Sequence, residues 1–553
     1  MRSTRSDPAT SGDRARPGLS RAVGPGGQRR TGWSLDWLVV VIPAVAELIV
    51  GGYRIGGPSL WRDEAATISG SQRPVSAILA MMGNADAVHG PYYLLMHQVI
   101  AVGGISATTL RLPSLVAMCL AVGLTAALGR RLAQDCGLPG PAAVGLVAGL
   151  ALVAVPLTSR YAQEARPYAL ATLFAVLATY FLVRAVAAPR PAWWAVYAAA
   201  LLLAGLCNLF AMLLAVAHGA SLAWAVRPAA GGGRPERAGG GRAGQPGQVT
   251  AATLRRWLAA CAAAAVLLAP VIYLSAGQSA QINWVRRPGL STVASLLRDF
   301  AGAGALIPVI GVLAVIGCLA GPGLRRGRLT LATVALPWLV LPSAVLLAVS
   351  LAHPVYVERY VVFCLPALAV LAAAGLTWLA AASRRALAGR GLGPRRADIL
   401  AVAAPAVLAV LIAGVLVGPQ REIRQPGARA DDLRAVAGVV AARERAGDAV
   451  LYLPRDAELV GVAYPAAFHR LRDIGLGRSA VASATLRGLP APPDVVAARL
   501  RGVRRVWTVQ WAGPLSRSGA APASLTRLLT SMRAIGRWHI QSVVLRLYLV
   551  RAR

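Results

Sequence analysis

The sequence predicts an all-α polytopic membrane protein carrying a small C-terminal α/β domain outside the membrane. Three observations predict it. Apolar residues make up 56% of the 553 residues and charged residues only 14%, and a mean hydropathy of +0.58 lies outside the soluble globular range. Eleven segments read as spans of about 20 mostly apolar residues. The remaining tail changes composition and shows helix- and strand-like patterns.

The eleven segments are 35–53, 109–129, 141–158, 168–187, 192–207, 209–226, 257–275, 303–321, 329–350, 360–381 and 399–418. Arginine sets their direction. With the N-terminus inside, Arg130, Arg131, Arg190, Arg255, Arg256, Arg325, Arg326, Arg328, Arg384, Arg385, Arg395 and Arg396 all fall in cytoplasmic connections, as the positive-inside rule requires. The opposite side receives 54–108, 159–167, 276–302, 351–359 and the tail from 419. The apolar run 90–102 is short for a span, so it is expected to be an interfacial helix in the first outer loop. Counting it as a span would place Arg130 and Arg131 outside.

Three regions follow. Residues 1–34 are Arg-, Gly- and Pro-rich and read as a disordered cytoplasmic N-terminus. Residues 35–418 form the transmembrane domain, interrupted by a flexible cytoplasmic linker at 228–250. Residues 419–553 form an extracytoplasmic domain, with a helix over Asp431–Arg445 and strands over 449–453, 503–511 and 542–550. The expected location is the plasma membrane.

Lys and Arg exceed Asp and Glu by 35, yet the arginines cluster in short loops without aromatic interleaving. This excludes a nucleic-acid partner. The six cysteines form no CxxC pair and read as packing residues.

The outer loops collect the reactive side chains. The first holds Arg62, Asp63 and Glu64, then Asp86 and His89. The second holds Arg160, Gln163, Glu164 and Arg166; the third holds Gln278, Gln281, Asn283, Trp284, Arg286 and Arg287; the fourth holds His353, Tyr356, Glu358 and Arg359. A carboxylate can take a proton from an acceptor hydroxyl, and arginines hold phosphate by charge-assisted hydrogen bonds. Both on one face suggest chemistry on a lipid-linked phosphate. No Gly-rich phosphate loop is present, which disfavours a nucleotide-fuelled reaction. Each residue also has a plainer reading. Asp63 and Glu64 suit the first turn of a helix, Glu164 and Arg166 could form a loop ion pair, and Arg359 could snorkel. Asp86 with His89 is an incomplete metal-ligand set, and no metal ligand is assigned.

The runs Trp61-Arg62-Asp63-Glu64-Ala65, Asp86 to His97, Arg111-Leu112-Pro113-Ser114 and Tyr161 to Leu170 resemble the C-type membrane glycosyltransferases, in particular the family 39 and protein mannosyltransferase-like group of actinobacteria. The resemblance spans about residues 35–380. His89-Gly90-Pro91 stands where the family often has His-Pro-Pro. The resemblance implies an inverting transfer of a hexose, mannose by family habit, from a polyprenyl-phosphate donor to an outer-face acceptor that is a protein, a glycan or a lipid. It implies Asp63 as catalytic base with Glu64 beside it. Asp86, His89, Gln163 and Glu164 would contact the acceptor or support the site, and Arg62, Arg166 and Arg359 would bind the donor phosphate. A divalent cation, Mg or Mn, is left open. Two rival functions fit the same hydrophobic spans: a transporter or flippase of a lipid-linked sugar, and a non-catalytic membrane scaffold for the cell wall. Polar groups gathered on one face, rather than at the midplane, argue against the transporter.

Overall fold

The computed structural model describes residues 35–188, 190–226, 249–279, 284–512 and 523–550. The expectations for 1–34 and for nearly all of the linker 228–250 lie outside the described residues. The body of the chain is Asp36–Arg553.

The chain enters through α1 (Leu38–Gly52) and then builds three short helices, α2 (Arg62–Ser71), α3 (Val75–Asn84) and α4 (Gly90–Gly103). α4 coincides with the predicted interfacial run and starts with Pro91 in its first turn, where the missing N–H has no intrahelical acceptor to lose. The membrane helices continue as α5 (Ala107–Asp135), α6 (Pro141–Ala154), α7 (Pro156–Ala162), α8 (Tyr168–Ala187), α9 (Pro191–Cys207) and α10 (Leu213–Ala225). After them come α11 (Ala251–Ala276), α12 (Leu290–Ala301), α13 (Ile307–Leu319), α14 (Leu331–Ala352), α15 (Leu365–Gly389) and α16 (Pro394–Glu422). Their starts follow local chemistry. Ser106, Thr250 and Thr330 cap α5, α11 and α14 through their hydroxyls.

Among the described residues, six helical segments are long and apolar enough to cross a membrane: α5, α8, α11, α14, Glu358–Gly389 and α16. Two bent pairs, α6–α7 at 70° and α12–α13 at 81°, raise the number to eight. The other three of the eleven predicted segments are shorter apolar helices. Every predicted segment is helical, but α1 and α9 have 15 and 17 residues, and Leu209–Ala225 is also a shorter apolar stretch. At 1.5 Å per residue α1 reaches about 22 Å, against a hydrocarbon core of about 30 Å. The bend between α12 and α13 was not expected. α12 is amphipathic, with Leu296 and Phe300 buried and Leu290 exposed, and was expected only as loop.

α13 and α15 cross closely because both are small at the contact. A Cβ on Gly317 would meet the carbonyl oxygen of Leu371, and one on Gly375 that of Leu313. Small residues that let backbones approach are how membrane helices gain packing without a hydrophobic driving force.

α16 ends four residues beyond the predicted boundary at 418, and the C-terminal domain follows. Its helices are α17 (Leu433–Ala441), α18 (Leu459–Ala463), α19 (Pro493–Arg499) and α20 (Ala523–Thr530). Its strands are β1 (Ala449–Leu453), β2 (Arg472–Asp473), β3 (Leu476–Arg478), β4 (Leu489–Pro490), β5 (Arg505–Trp511), β6 (Arg533–Ile540) and β7 (Val543–Leu549). The sheet order is β2-β1-β5-β7-β6. β1 pairs in parallel with β2 and β5, while β7 is antiparallel to β5 and β6. All five residues of β1 are buried, as expected of a parallel strand covered on both faces.

One apolar cluster joins the two regions. Ile68 of α2, Tyr93 and Met96 of α4, Leu433 and Val436 of α17, Val460 of α18 and Trp507 of β5 belong to the same buried core. The helices of the first predicted outer loop thus pack against the C-terminal domain. One arginine cluster, Arg130 and Arg131, lies at the far end of α5. α5 carries Arg111 in its first turns and Arg130 and Arg131 near its end; nineteen residues of helix separate Arg111 from Arg130 by about 29 Å.

Candidate active site

α2 begins on extended Trp61 and places Asp63 and Glu64 in its first turn. They are adjacent in sequence and point to different surroundings. Asp63 is one-fifth exposed and its Oδ2 lies 3.5 Å from Nη2 of Arg359. Glu64 is fully buried. Arg111 grips it from both sides, with Nε donating to Oε1 at 2.8 Å and Nη2 to Oε2 at 2.7 Å. The Ala165 N–H also donates to Oε1, at 2.9 Å. Arg111 further donates to the carbonyls of Ile55, Pro58 and Ser59.

This carboxylate–guanidinium pair holds the second predicted loop against the first. Thr67 adds a hydroxyl donation to the Ala165 carbonyl at 3.0 Å, and Ser114 donates to that of Arg166 at 3.2 Å. Arg166 is therefore carried to the start of α2. Its Nη1 lies 3.4 Å from the Asp63 carbonyl oxygen and its Nη2 donates to Nε2 of His89 at 2.6 Å.

That contact assigns the histidine. A guanidinium cannot accept, so Nε2 of His89 accepts and the proton sits on Nδ1, which donates to Asp86 Oδ1 at 2.7 Å. Tyr93 donates its hydroxyl to the other oxygen of Asp86. Asp86 itself adopts a left-handed backbone, φ +54°, which aspartate tolerates better than most residues. Gln278 holds this corner from α11's end, accepting from Ala87 N–H at 2.9 Å and donating to Met82 O at 2.8 Å. Burial, then the Arg166 charge, push the His89 pKa below its ordinary 6.5. Burial would raise Asp86, but the charge and hydrogen bond of His89, with Arg166 and Tyr93 behind them, hold it below the usual carboxylate range.

The histidine shift has a consequence. The unfolded chain binds a proton at His89 below pH 6.5 that the folded chain refuses, so stability falls as pH drops through that value. In His89→Gln this share of the acid sensitivity is expected to vanish. Melting temperatures of both proteins above and below that pH check it; an unchanged pH slope contradicts the neutral assignment.

The other predicted site residues have partners of their own. Arg62 does not face the mouth of the site. Its Nε and Nη2 donate to Asp431 at 2.7 and 2.6 Å, and its guanidinium lies 4.3 Å from the Trp511 ring centre. Glu64 is enclosed by Arg111 instead of standing free beside Asp63. Gln163 is wholly buried and donates to the carbonyls of Gly51 and Tyr53 at 2.7 and 2.8 Å, fastening the end of α1. Glu164 is buried too, with Arg160 Nε at 3.9 Å in place of the expected Arg166, and burial raises its pKa. Both are buried behind the start of α2 and fit the supporting role expected of them. Of the third loop, Gln281 and Asn283 lie outside the described residues; Trp284 stacks near Arg359 at 5.6 Å and Tyr360 lies at 5.7 Å.

Among the described residues no cluster of three His, Cys, Asp or Glu side chains forms a metal-ligating group. Three polar atoms at the mouth of the site are buried without a hydrogen-bond partner among the described residues: Asp63 Oδ2, Arg166 Nε and Arg359 Nε. Buried polar atoms are nearly always satisfied, and each exception asks for a cause.

Sequence reasoning missed Arg111 and Asp431 as members of this arrangement. Arg111 carried a signal, since a charge at the start of a span is costly without a partner. Asp431 carried none.

A family model described as dolichyl-phosphate-mannose-protein mannosyltransferase matches residues 89–229. No curated protein sequence matches the chain. Among solved structures, ArnT from Cupriavidus metallidurans in the apo state is similar with a TM-score of 0.54 and 15% identity, over 92% of this chain and 97% of that one. ArnT from the same organism bound to undecaprenyl phosphate is similar with a TM-score of 0.54 and 16% identity, over 93% and 98%. The matched segment begins at His89 and includes Arg166, and the likeness to ArnT covers nearly the whole of both chains: this chain has the ArnT fold, and over residues 89–229 it is similar to the mannosyltransferase family.

Proposed function

We propose that this chain moves a hexose, mannose on the matched family's description, from a polyprenyl-phosphate carrier to an acceptor hydroxyl on the extracytoplasmic face of the plasma membrane. One observation carries the reading: Asp63 has its carboxylate 3.5 Å from Arg359 and its backbone carbonyl 3.4 Å from Arg166, and the Nε atoms of both arginines lack partners among the described residues. Asp63 takes the acceptor proton as the acceptor oxygen bonds to the anomeric carbon. The bond from that carbon to the phosphate oxygen breaks on the opposite side, and its electron pair leaves on the carrier phosphate. The configuration inverts. Arg359 and Arg166 neutralise the charge that builds on the leaving phosphate. An undecaprenyl phosphate ligand in a protein of the same fold is in keeping with this donor.

The other residues serve the geometry. Glu64 with Arg111 joins the two loops, and Asp86 with His89 aims Arg166. Arg62 is withdrawn from the phosphate site by Asp431. The acceptor is a protein, a glycan or a lipid, and the arginine distribution supports the extracytoplasmic placement, with the N-terminus inside.

Arg166→Ala tests the phosphate role. Loss of a charge-assisted contact worth about 1.5–3 kcal/mol is expected to raise the donor's apparent KM roughly 10- to 100-fold in membranes given labelled polyprenyl-phosphate mannose. An unchanged KM removes Arg166 from the donor site.

A further inference from the structure

The approach to α2 takes its hydrogen bonds from the C-terminal domain as well as from the membrane helices. The Ser59 N–H donates to Pro426 O at 2.9 Å, and the Leu60 N–H donates to the Tyr464 hydroxyl at 3.0 Å. Arg434 donates to the carbonyls of Gly56 and Gly57 at 3.0 Å each, and its own N–H donates to the Ser59 hydroxyl at 2.9 Å.

The decisive contact is at the helix start. The first N–H groups of a helix have no intrahelical acceptor, and a side chain at the N-cap position normally supplies one. Here that position is Trp61, which makes no such bond and whose indole has no acceptor. Asp431, 369 residues away, supplies it: its Oδ2 accepts from the Arg62 N–H at 3.1 Å. The same fully buried carboxylate binds the Arg62 guanidinium through both oxygens and accepts from the Ser542 hydroxyl. Backbone and side chain of the residue before Asp63 are thus fixed by one group in another domain.

We propose that Asp431 is a positioning residue for Asp63, and that the C-terminal domain thereby completes the active site without touching the reactants. Asp431 caps the first turn of α2 and sets the direction in which the next side chain leaves the helix, toward Arg359. The inference rests on the reading of Asp63 as the base. Misplacing a catalytic group by about 1 Å can cost roughly 10²-fold in rate.

The test uses membranes holding the full-length chain and their own acceptors, given sugar-labelled polyprenyl-phosphate mannose over a range of concentrations. Asp431→Ala is expected to lower the maximal rate per folded chain at least about 10-fold while the donor KM stays within about twofold, because the phosphate arginines are untouched. Arg62→Met with Asp431→Asn keeps an acceptor for the helix N–H and leaves no buried charge unpaired, so it is expected to retain the rate within about threefold. Amide exchange over Arg62–Glu64 should rise in Asp431→Ala and stay slow in the double variant. A full rate in folded Asp431→Ala overturns the proposal. So does a double variant that folds, keeps slow exchange and is nonetheless as slow as Asp431→Ala. If Asp63→Asn transfers at the parental rate, it is the assignment of the base that fails, and the exchange result still decides whether Asp431 holds the helix.

Discussion

Asp63→Asn is expected to lower the transfer rate by about 10²- to 10⁴-fold, the usual contribution of a positioned general base, with little change in folded yield. Asparagine has nearly the same shape, and the residue is one-fifth exposed, so the variant should fold. It accepts no proton at neutral pH, and it weakens the attraction for Arg359. The donor should still bind, since Arg166 and Arg359 remain. The expected pattern is therefore a collapsed maximal rate with a near-parental donor KM. A variant that loses donor affinity and keeps its maximal rate would show that Asp63 orders the arginines and does no proton transfer.

Separating Glu64 from Arg111 should give an effect of similar size on a different quantity. Both side chains are fully buried, and together they tie α2, α5 and the 163–167 loop. Removing one partner leaves an uncompensated buried charge, which costs about 3–5 kcal/mol. Glu64→Ala and Arg111→Ala are each expected to lower the melting temperature in detergent and the yield of monodisperse protein. If Glu64→Ala melts like the parent and loses only transfer, Glu64 belongs with the reacting groups and its structural assignment is wrong.

The sequence showed which loops matter, because membrane chemistry makes polar residues conspicuous there. Asp63, Asp86, His89, Arg166 and Arg359 come from three separate predicted loops and meet at one end of the bundle. The strands also followed from pattern: 449–453 is exact, and 503–511 and 542–550 are each off by one or two residues at their ends. β6 escaped because Arg533–Ile540 mixes Gly, Arg and His at an exposed edge. What sequence could not convey was the pairing of charges. Arg62, Asp63 and Glu64 look equivalent in a row, yet a helix start turns them in three directions, toward Asp431, Arg359 and Arg111. All three partners lie beyond any local window. The bends and lengths of the spans were not legible for a related reason. Hydropathy recognises an apolar segment, but a bend at Val155 or at 302–303 and the trimmed ends of α1 and α9 depend on packing.

The central claim is that Asp63 serves one inverting displacement at a phosphate held by Arg166 and Arg359. Its most direct measurement is the anomeric configuration of the sugar in the product, read by NMR after transfer from polyprenyl-phosphate mannose of defined configuration. The account predicts the configuration opposite to the donor's, formed by the parent and lost in Asp63→Asn. A product of retained configuration would contradict it, as would movement of the intact lipid-linked sugar across the membrane with no glycosidic bond formed.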